Sequence, residues 1–347
     1  MKTILAPAAL LAFLILFALP AFPEDNEKKA EFGEAMIWIQ VGNQIKDVDE
    51  AMLDKLQECG FGKIVLLHSS VDGKGYFPKL KSIVKRAHAR GIKVSVGTLV
   101  FKDAFQESHW RRHPELRHCS RDGKNTENKY YHYQICPNNP ANHEYISSLM
   151  VRKARESGAD EVHIDYEIVP CYCPYCLEKF KEDTGLDALS LDDSDPAWMT
   201  WRSRKTRDFF SVLARKCRTK ENGLAISSTA PIIGFAGGFS AYGTDLRYED
   251  LAMYSDEFQP MIYISVKNPS SMAGDKFEAI KIRLLGKKVV PGLIINEEFT
   301  SNIKTAERVM EELQSVFDKG ASSIAIFEVR YINDELKELF KRVIKKK

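Results

Sequence analysis

Three ionisable side chains alternate along one short stretch, His163-Ile164-Asp165-Tyr166-Glu167. In an extended chain successive side chains point to opposite faces. His163, Asp165 and Glu167 would then share one face, with Val162, Ile164 and Tyr166 on the other. Same-face neighbours on a strand lie about 7 Å apart. Two carboxylates so placed push their proton affinities apart, leaving one protonated and one ionised near neutral pH. Glycosidic cleavage needs that division of labour: an acid for the leaving oxygen and a carboxylate for the oxocarbenium charge. The plainer alternative is a salt-bridged polar layer inside a barrel. For His163, one pleat deeper, an orienting hydrogen bond is the expected role.

A second cluster follows directly, Cys171-Tyr172-Cys173-Pro174-Tyr175-Cys176. Thiolates at this spacing can wrap one tetrahedral Zn²⁺, with Cys136 or Cys119 completing the set, and a closed four-sulfur site is structural. Such a site has no open position, so no cofactor is expected for catalysis. The alternative is a set of disulfides, such as Cys119–Cys136, which export would permit. Cys59 and Cys217 fall in helical patterns and read as buried apolar residues.

The elements that must position these residues repeat eight times. Strands are expected at 36–41, 63–68, 92–97, 161–166, 224–228, 257–264, 288–295 and 322–327, with helical patterns between them. A strand followed by a helix, eight times over, predicts a closed parallel (βα)8 TIM barrel. A long polar insertion (about 102–140) follows strand three and the cysteine-rich loop follows strand four. In such a barrel chemistry sits at the C-terminal ends of the strands. The polar face of strand four would climb toward that mouth.

The chain has 347 residues, 44% hydrophobic and 28% charged, enough for one core and one domain, 22–347. Fifty basic against 48 acidic side chains give a net charge of +2 and no basic groove for nucleic acid. Lys2, the apolar run Ile4 to Phe22 and small Ala18 and Ala21 before a polar stretch have the shape of a signal peptide over 1–21. The expectation is a secreted or periplasmic protein, with membrane contact only if that segment is retained as an anchor.

Asp160-Glu161-Val162-His163-Ile164-Asp165-Tyr166 resembles the Asp-Gly-Ile/Val-His-Leu/Phe-Asp strand of the glycosyl-hydrolase-like barrels related to glycoside hydrolase family 10. Three further segments resemble that family: Cys136-Pro137-Asn138-Asn139-Pro140, Trp198-Met199-Thr200-Trp201-Arg202, and Gln259-Pro260-Met261-Ile262-Tyr263. The resemblance spans roughly residues 110 to 265 and implies a carbohydrate-active barrel. Asp160, His163, Asp165 and Glu167 are also similar to the strand-four motif of family-18 chitinases, in which the final Glu is the acid. His163 and Glu161 replace the Asp and Gly of that motif, a departure from substrate-assisted chemistry. The cysteine loop resembles the zinc-binding loop of family-42 β-galactosidases.

Other residues should reach the mouth. Glu297 and Glu298 follow strand seven, where barrels of the family-10 and family-42 type place a nucleophile, and Glu328 ends strand eight. Tyr263, Gln40 and His68, late on strands six, one and two, are candidate substrate contacts alongside His163. Aromatics of the insertion, Trp110, Tyr130, Tyr131 and Tyr133 with His132, could stack on sugar or pack against one another. The leading expectation is a glycoside hydrolase acting on a carbohydrate substrate. Glu167 would be the acid/base, Asp165 its partner, and Glu297 or Glu328 the second carboxylate. A non-catalytic carbohydrate-binding barrel is the alternative. A metal-dependent hydrolase using His68, His163 and Asp165 is the third, though strand one lacks the His-x-His pair such enzymes show.

Overall fold

Pleat parity sorts the strand residues into two shells, and the shells close on each other as a ring. The computed structural model describes residues 29–41, 48–68, 76–101, 107–124, 133–165, 170–230, 248–284, 286–297 and 302–345. Strands are β1 (Glu34–Val41), β2 (Lys63–His68), β3 (Lys93–Leu99), β4 (Glu161–Asp165), β5 (Ala225–Ala230), β6 (Glu257–Ile262), β7 (Lys288–Val289), β8 (Gly292–Ile294) and β9 (Ser323–Phe327). Every pairing among these strands is parallel. Neighbours run β5-β4-β3-β2-β1-β9-β8-β6, and β5 pairs with β6 to close the barrel. The seventh barrel strand comes as two pieces, β7 and β8, both on β6. Pro291 lies between them, and a proline has no N–H to give the ladder.

Helices cover the outside, notably α2 (Tyr76–His88), α4 (Pro140–Ser157), α6 (Pro196–Cys217), α8 (Met272–Arg283) and α9 (Ala306–Asp318). Asn139 caps α4 by accepting from Ala141 N–H at 3.0 Å, and Gly158, at φ 77°, ends it in the left-handed region. The insertion after β3 was expected as loop. It instead carries a short helix, α3 (Glu107–Arg112), and a 3₁₀ turn at Pro114–Leu116.

The outer shell packs Ile37, Ile64, Leu66, Val94, Val96, Val162 and Ile164 against the helices. The inner shell is smaller: Met36, Trp38, Val65, Val290, Ile294, Ala325 and Phe327. Trp38 fills the axis so closely that a Cβ on Gly292 would lie 2.6 Å from its ring, so that position must be glycine. Below it, at the strand starts, sits a charged floor. Lys63 Nζ lies 2.8 Å from both Glu161 and Glu257, and Lys288 lies 2.8 Å from Glu257. Ser227 Oγ donates to Glu161 at 2.8 Å and Gln259 Nε2 donates to Glu257 at 2.7 Å. A salt-bridged polar layer therefore does exist, one full strand length away from Asp165.

Burial alone would raise the Glu257 carboxyl, but Lys63 and Lys288 outweigh it and leave it below its ordinary value. A carboxylate lowered by folding stabilises above its unfolded pKa and loses that contribution as pH falls through the folded value. We expect Lys63→Ala to cost about 3 kcal/mol at pH 7, because it takes the lysine from the part-buried Glu161 and leaves the buried Glu257 with Lys288 alone. Urea unfolding should show that penalty shrinking below about pH 4.3, where free glutamate protonates. An unchanged midpoint at pH 7 would contradict the assignment of this floor.

Candidate functional site

Opposite the floor, three strand ends converge. Asp165 closes β4 on the inward parity, half-buried, and its Oδ1 accepts from Thr229 Oγ1 at 3.2 Å across the β4–β5 edge. Tyr263 directly follows β6, half-buried, its ring edge-on to Trp38 at 6.5 Å and stacked on Phe327 at 6.0 Å. Glu328 directly follows β9 and is fully buried. Burial, then the charges of Asp165 and Glu328, push the Tyr263 hydroxyl well above its ordinary range. The phenol thus stays neutral while lying within the field of both carboxylates. Trp38, Tyr263 and Phe327 form an aromatic base beneath the acidic groups.

Glu328 is held from one side. Arg330 Nε donates to its Oε1, while Oε2 is buried without a hydrogen-bond partner among the described residues. Buried polar atoms in native folds are nearly always paired, so an exception calls for a water, a ligand or a catalytic role. Arg330 carried no signal in the sequence, since it lies in a turn with no periodic pattern around it.

The other expected residues fall as follows. Glu167 and Tyr166 lie outside the described residues, as do Glu298, Tyr130, Tyr131, His132 and segment 1–21. Gln40 and His68 occupy the ends of β1 and β2 as expected, with side chains outside the description. Glu297 is half-buried and engaged in its own turn: its N–H donates to Asn302 O at 2.7 Å, and Asn302 Nδ2 donates to Oε2 at 3.4 Å.

His163 requires a correction. It was expected among the substrate contacts, but it is fully buried beside Trp38, ring centroids 6.3 Å apart. Ser227 gives its proton to Glu161, so the 2.8 Å contact between His163 Nδ1 and Ser227 Oγ has the imidazole donating. Burial, then Lys63, lowers the imidazole to about 3, which keeps it neutral. It links the floor to the strand beneath Asp165. Of the two readings of the insertion aromatics, Trp110 and Tyr133 follow the one in which they pack against one another. Trp110 is buried under the Arg117 guanidinium at 3.7 Å, with Tyr133 edge-on at 5.5 Å.

The cysteines come together. Cys136 arrives from the segment just before α4, Cys171 and Cys173 from the loop after β4, and Cys176 from the first turn of α5 (Pro174–Thr184). All four are buried, with sulfurs within 4.8 Å of one another. Cys136 and Cys176 are 3.4 Å apart, Cys173 and Cys176 3.6 Å, and Asn138 Nδ2 donates to Cys176 Sγ at 3.3 Å. Four sulfurs around a tetrahedral ion at 2.3 Å would stand about 3.8 Å apart, so the donor set and spacing fit a metal of that type. Hydrogen bonds from Cys136, Cys171 and Cys176 drive the Cys173 thiol far below its ordinary range, while burial pushes Cys136 and Cys176 up.

Cys119 stays outside the four. Its thiol is raised to about 11 by burial and then by Cys171 and Cys173. None of the seven cysteines is joined in a disulfide, so the expected alternative of a Cys119–Cys136 disulfide is not formed. Tyr172, Phe180, Trp198 and Trp201 wrap the cluster as a core of their own, the two tryptophans stacked at 5.2 Å. The paired-tryptophan motif at the start of α6 therefore serves the cysteine loop.

No family model matches this chain, and no curated protein matches it. Solved structures do. The glycoside hydrolase domain of PgaB (BpsB) from Bordetella bronchiseptica aligns at TM-score 0.68 and 12% identity, covering 90% of this chain and 99% of that one. The β-galactosidase from the psychrophilic Marinomonas ef1 aligns at 0.70 and 10% identity over 89% of this chain and 58% of that one. The β-galactosidase from Rahnella sp. R3 aligns at 0.68 and 16% over 91% and 56%. At such identities the likeness is one of fold, a parallel (βα)8 barrel, and the chain spans little more than half of either galactosidase.

Buried thiols gathered around one point should resist modification. Alkylation of the native protein is expected to spare Cys136, Cys171, Cys173 and Cys176, and to label all four after unfolding with a chelator. A disulfide joining any two of them in a non-reduced peptide map would contradict this arrangement.

Proposed function

We propose that the chain is an exported glycoside hydrolase that cleaves a glycosidic bond of an oligo- or polysaccharide by carboxylate acid/base catalysis at the barrel mouth. The observation that carries the reading is the buried Glu328 carboxylate with an unpartnered oxygen, set with Asp165 around Tyr263 on an aromatic base. An aromatic base with two flanking carboxylates suits a sugar ring: apolar C–H faces meet the rings, and hydroxyl groups meet the acids.

In this reading Glu167, two residues after Asp165 in the sequence, is the general acid/base, and Asp165 is its electrostatic partner. The second carboxylate is Glu328. Glu297 is the weaker candidate because its turn already engages it. The fold likeness to glycoside hydrolases supports the same class of chemistry. Export rests on the apolar segment 1–21. Among the described residues no helix is long and apolar enough to cross a membrane.

The four-cysteine site would hold a structural zinc ion. Only six positions separate Asp165 from Cys171, so an ion there would anchor the far end of the segment carrying Glu167. The thiolates take no part in the chemistry. They restrict where the acid can stand.

Purified protein incubated with a glycan panel should release reducing ends. Asp165→Asn and Glu167→Gln should each lower kcat/KM about 100-fold or more, the usual weight of a general acid or base, with melting temperatures preserved. Full activity in Glu167→Gln would remove the assignment. Saturable glycan binding without new reducing ends would replace the enzyme with a binding barrel. Elemental analysis should give one zinc per chain, lost together with several degrees of melting temperature in Cys176→Ser. A metal-free chain of unaltered stability would overturn the zinc site.

A further inference from the structure

We propose that Arg330 is a positioning residue that fixes Glu328 through Oε1 and thereby reserves Oε2 for the sugar. The inference rests on the glycoside hydrolase reading and deepens it.

Glu328 ends β9 and precedes a single 3₁₀ turn, Val329–Tyr331, whose backbone it closes by accepting Tyr331 N–H at 3.1 Å. Its side chain does not cap that turn. The carboxylate is thus spent on no local structure, yet its side chain is only 1% exposed. Arg330 lies two residues on, inside the same turn, 59% exposed, and folds back so that Nε reaches Oε1. The pair runs from solvent to a buried carboxylate.

The terminal torsion of a glutamate is broad and roughly two-fold, so a carboxylate held by nothing presents either oxygen in turn. One directional N–H on Oε1 removes that freedom. A guanidinium is suited to this, being planar and always charged, with donors in a fixed fork. The remaining oxygen, Oε2, is buried and unpartnered among the described residues. An orphan carboxylate oxygen is costly unless a donor arrives, and a sugar hydroxyl or attacking water would supply one. Tyr263 stacks at 6.0 Å on Phe327, the residue that precedes Glu328, and lies within the field of both Glu328 and Asp165.

The test is steady-state kinetics on the best panel substrate for wild type, Arg330→Ala, Arg330→Lys, Glu328→Gln and the double variant Arg330→Ala/Glu328→Gln. Arg330→Ala should lower kcat about 10- to 100-fold with KM nearly unchanged, as expected for a misplaced catalytic group. Arg330→Lys should recover part of that loss. The double variant should be no worse than Glu328→Gln alone, because the arginine acts only through that carboxylate. If wild type is active and Arg330→Ala keeps its kcat, the inference falls and the hydrolase reading stands. A raised KM at constant kcat would make Arg330 a substrate contact and overturn it too. A wild type inactive on every glycan removes the reading, and the inference with it. Should Arg330→Ala fail to fold, the lysine variant alone and on Glu328→Gln carries the same comparison.

Discussion

The barrel axis has room for one large ring, and Trp38 occupies it. The charged groups of the inner shell therefore go to one end or the other. Toward the strand starts, Lys63, Glu161, Glu257 and Lys288 neutralise one another in a closed network. Toward the strand ends stand Asp165 and Glu328, and the Glu328 carboxylate meets Arg330 at the rim. The two ends are built from the same residue types to opposite purposes. One is electrically satisfied and sealed. The other retains a buried acceptor.

His163 shows how the ends communicate. It shares a face of β4 with Glu161 below and Asp165 above, and its neutral ring joins Ser227 to the packing around Trp38. A charged imidazole there would sit above Lys63 in a dry interior, which is why burial and that lysine both lower it. The layer under the mouth is thereby held by neutral hydrogen bonds and ring contacts. A rigid base of this kind holds carboxylate positions better than a loop could. The cysteine cluster acts at the other flank, tying the loop after β4 to the segment before α4 through Cys136.

Much of this was legible in the sequence. The eight strands, the inward parity of Asp165 and the choice of Cys171, Cys173 and Cys176 followed from period-two alternation and tight spacing, which are local properties. Strand seven was read as one run, 288–295, whereas the structure breaks it into two pieces around Pro291. The rest depended on distance along the chain. Lys63 meets Glu161 and Glu257 across 98 and 194 positions, so the floor could not be seen from β4 alone. Parity put His163 inward but could not give its depth, because what covers it is Trp38 from β1. Cys136 was preferred over Cys119 as the fourth ligand, and the fold sets Cys136 beside Cys176. Helix α3 is six residues long, too short to show an apolar period.

The central claim is that the paired strand ends at Asp165 and Glu328 receive a sugar over Tyr263. Crystallography of an inactive Glu167→Gln protein soaked with an oligosaccharide tests this most directly. The account predicts density for a sugar ring over Tyr263, with a hydroxyl about 3 Å from Glu328 Oε2 and another near Asp165. Sugar density confined to the outer helices, with the mouth empty at saturating ligand, would contradict it.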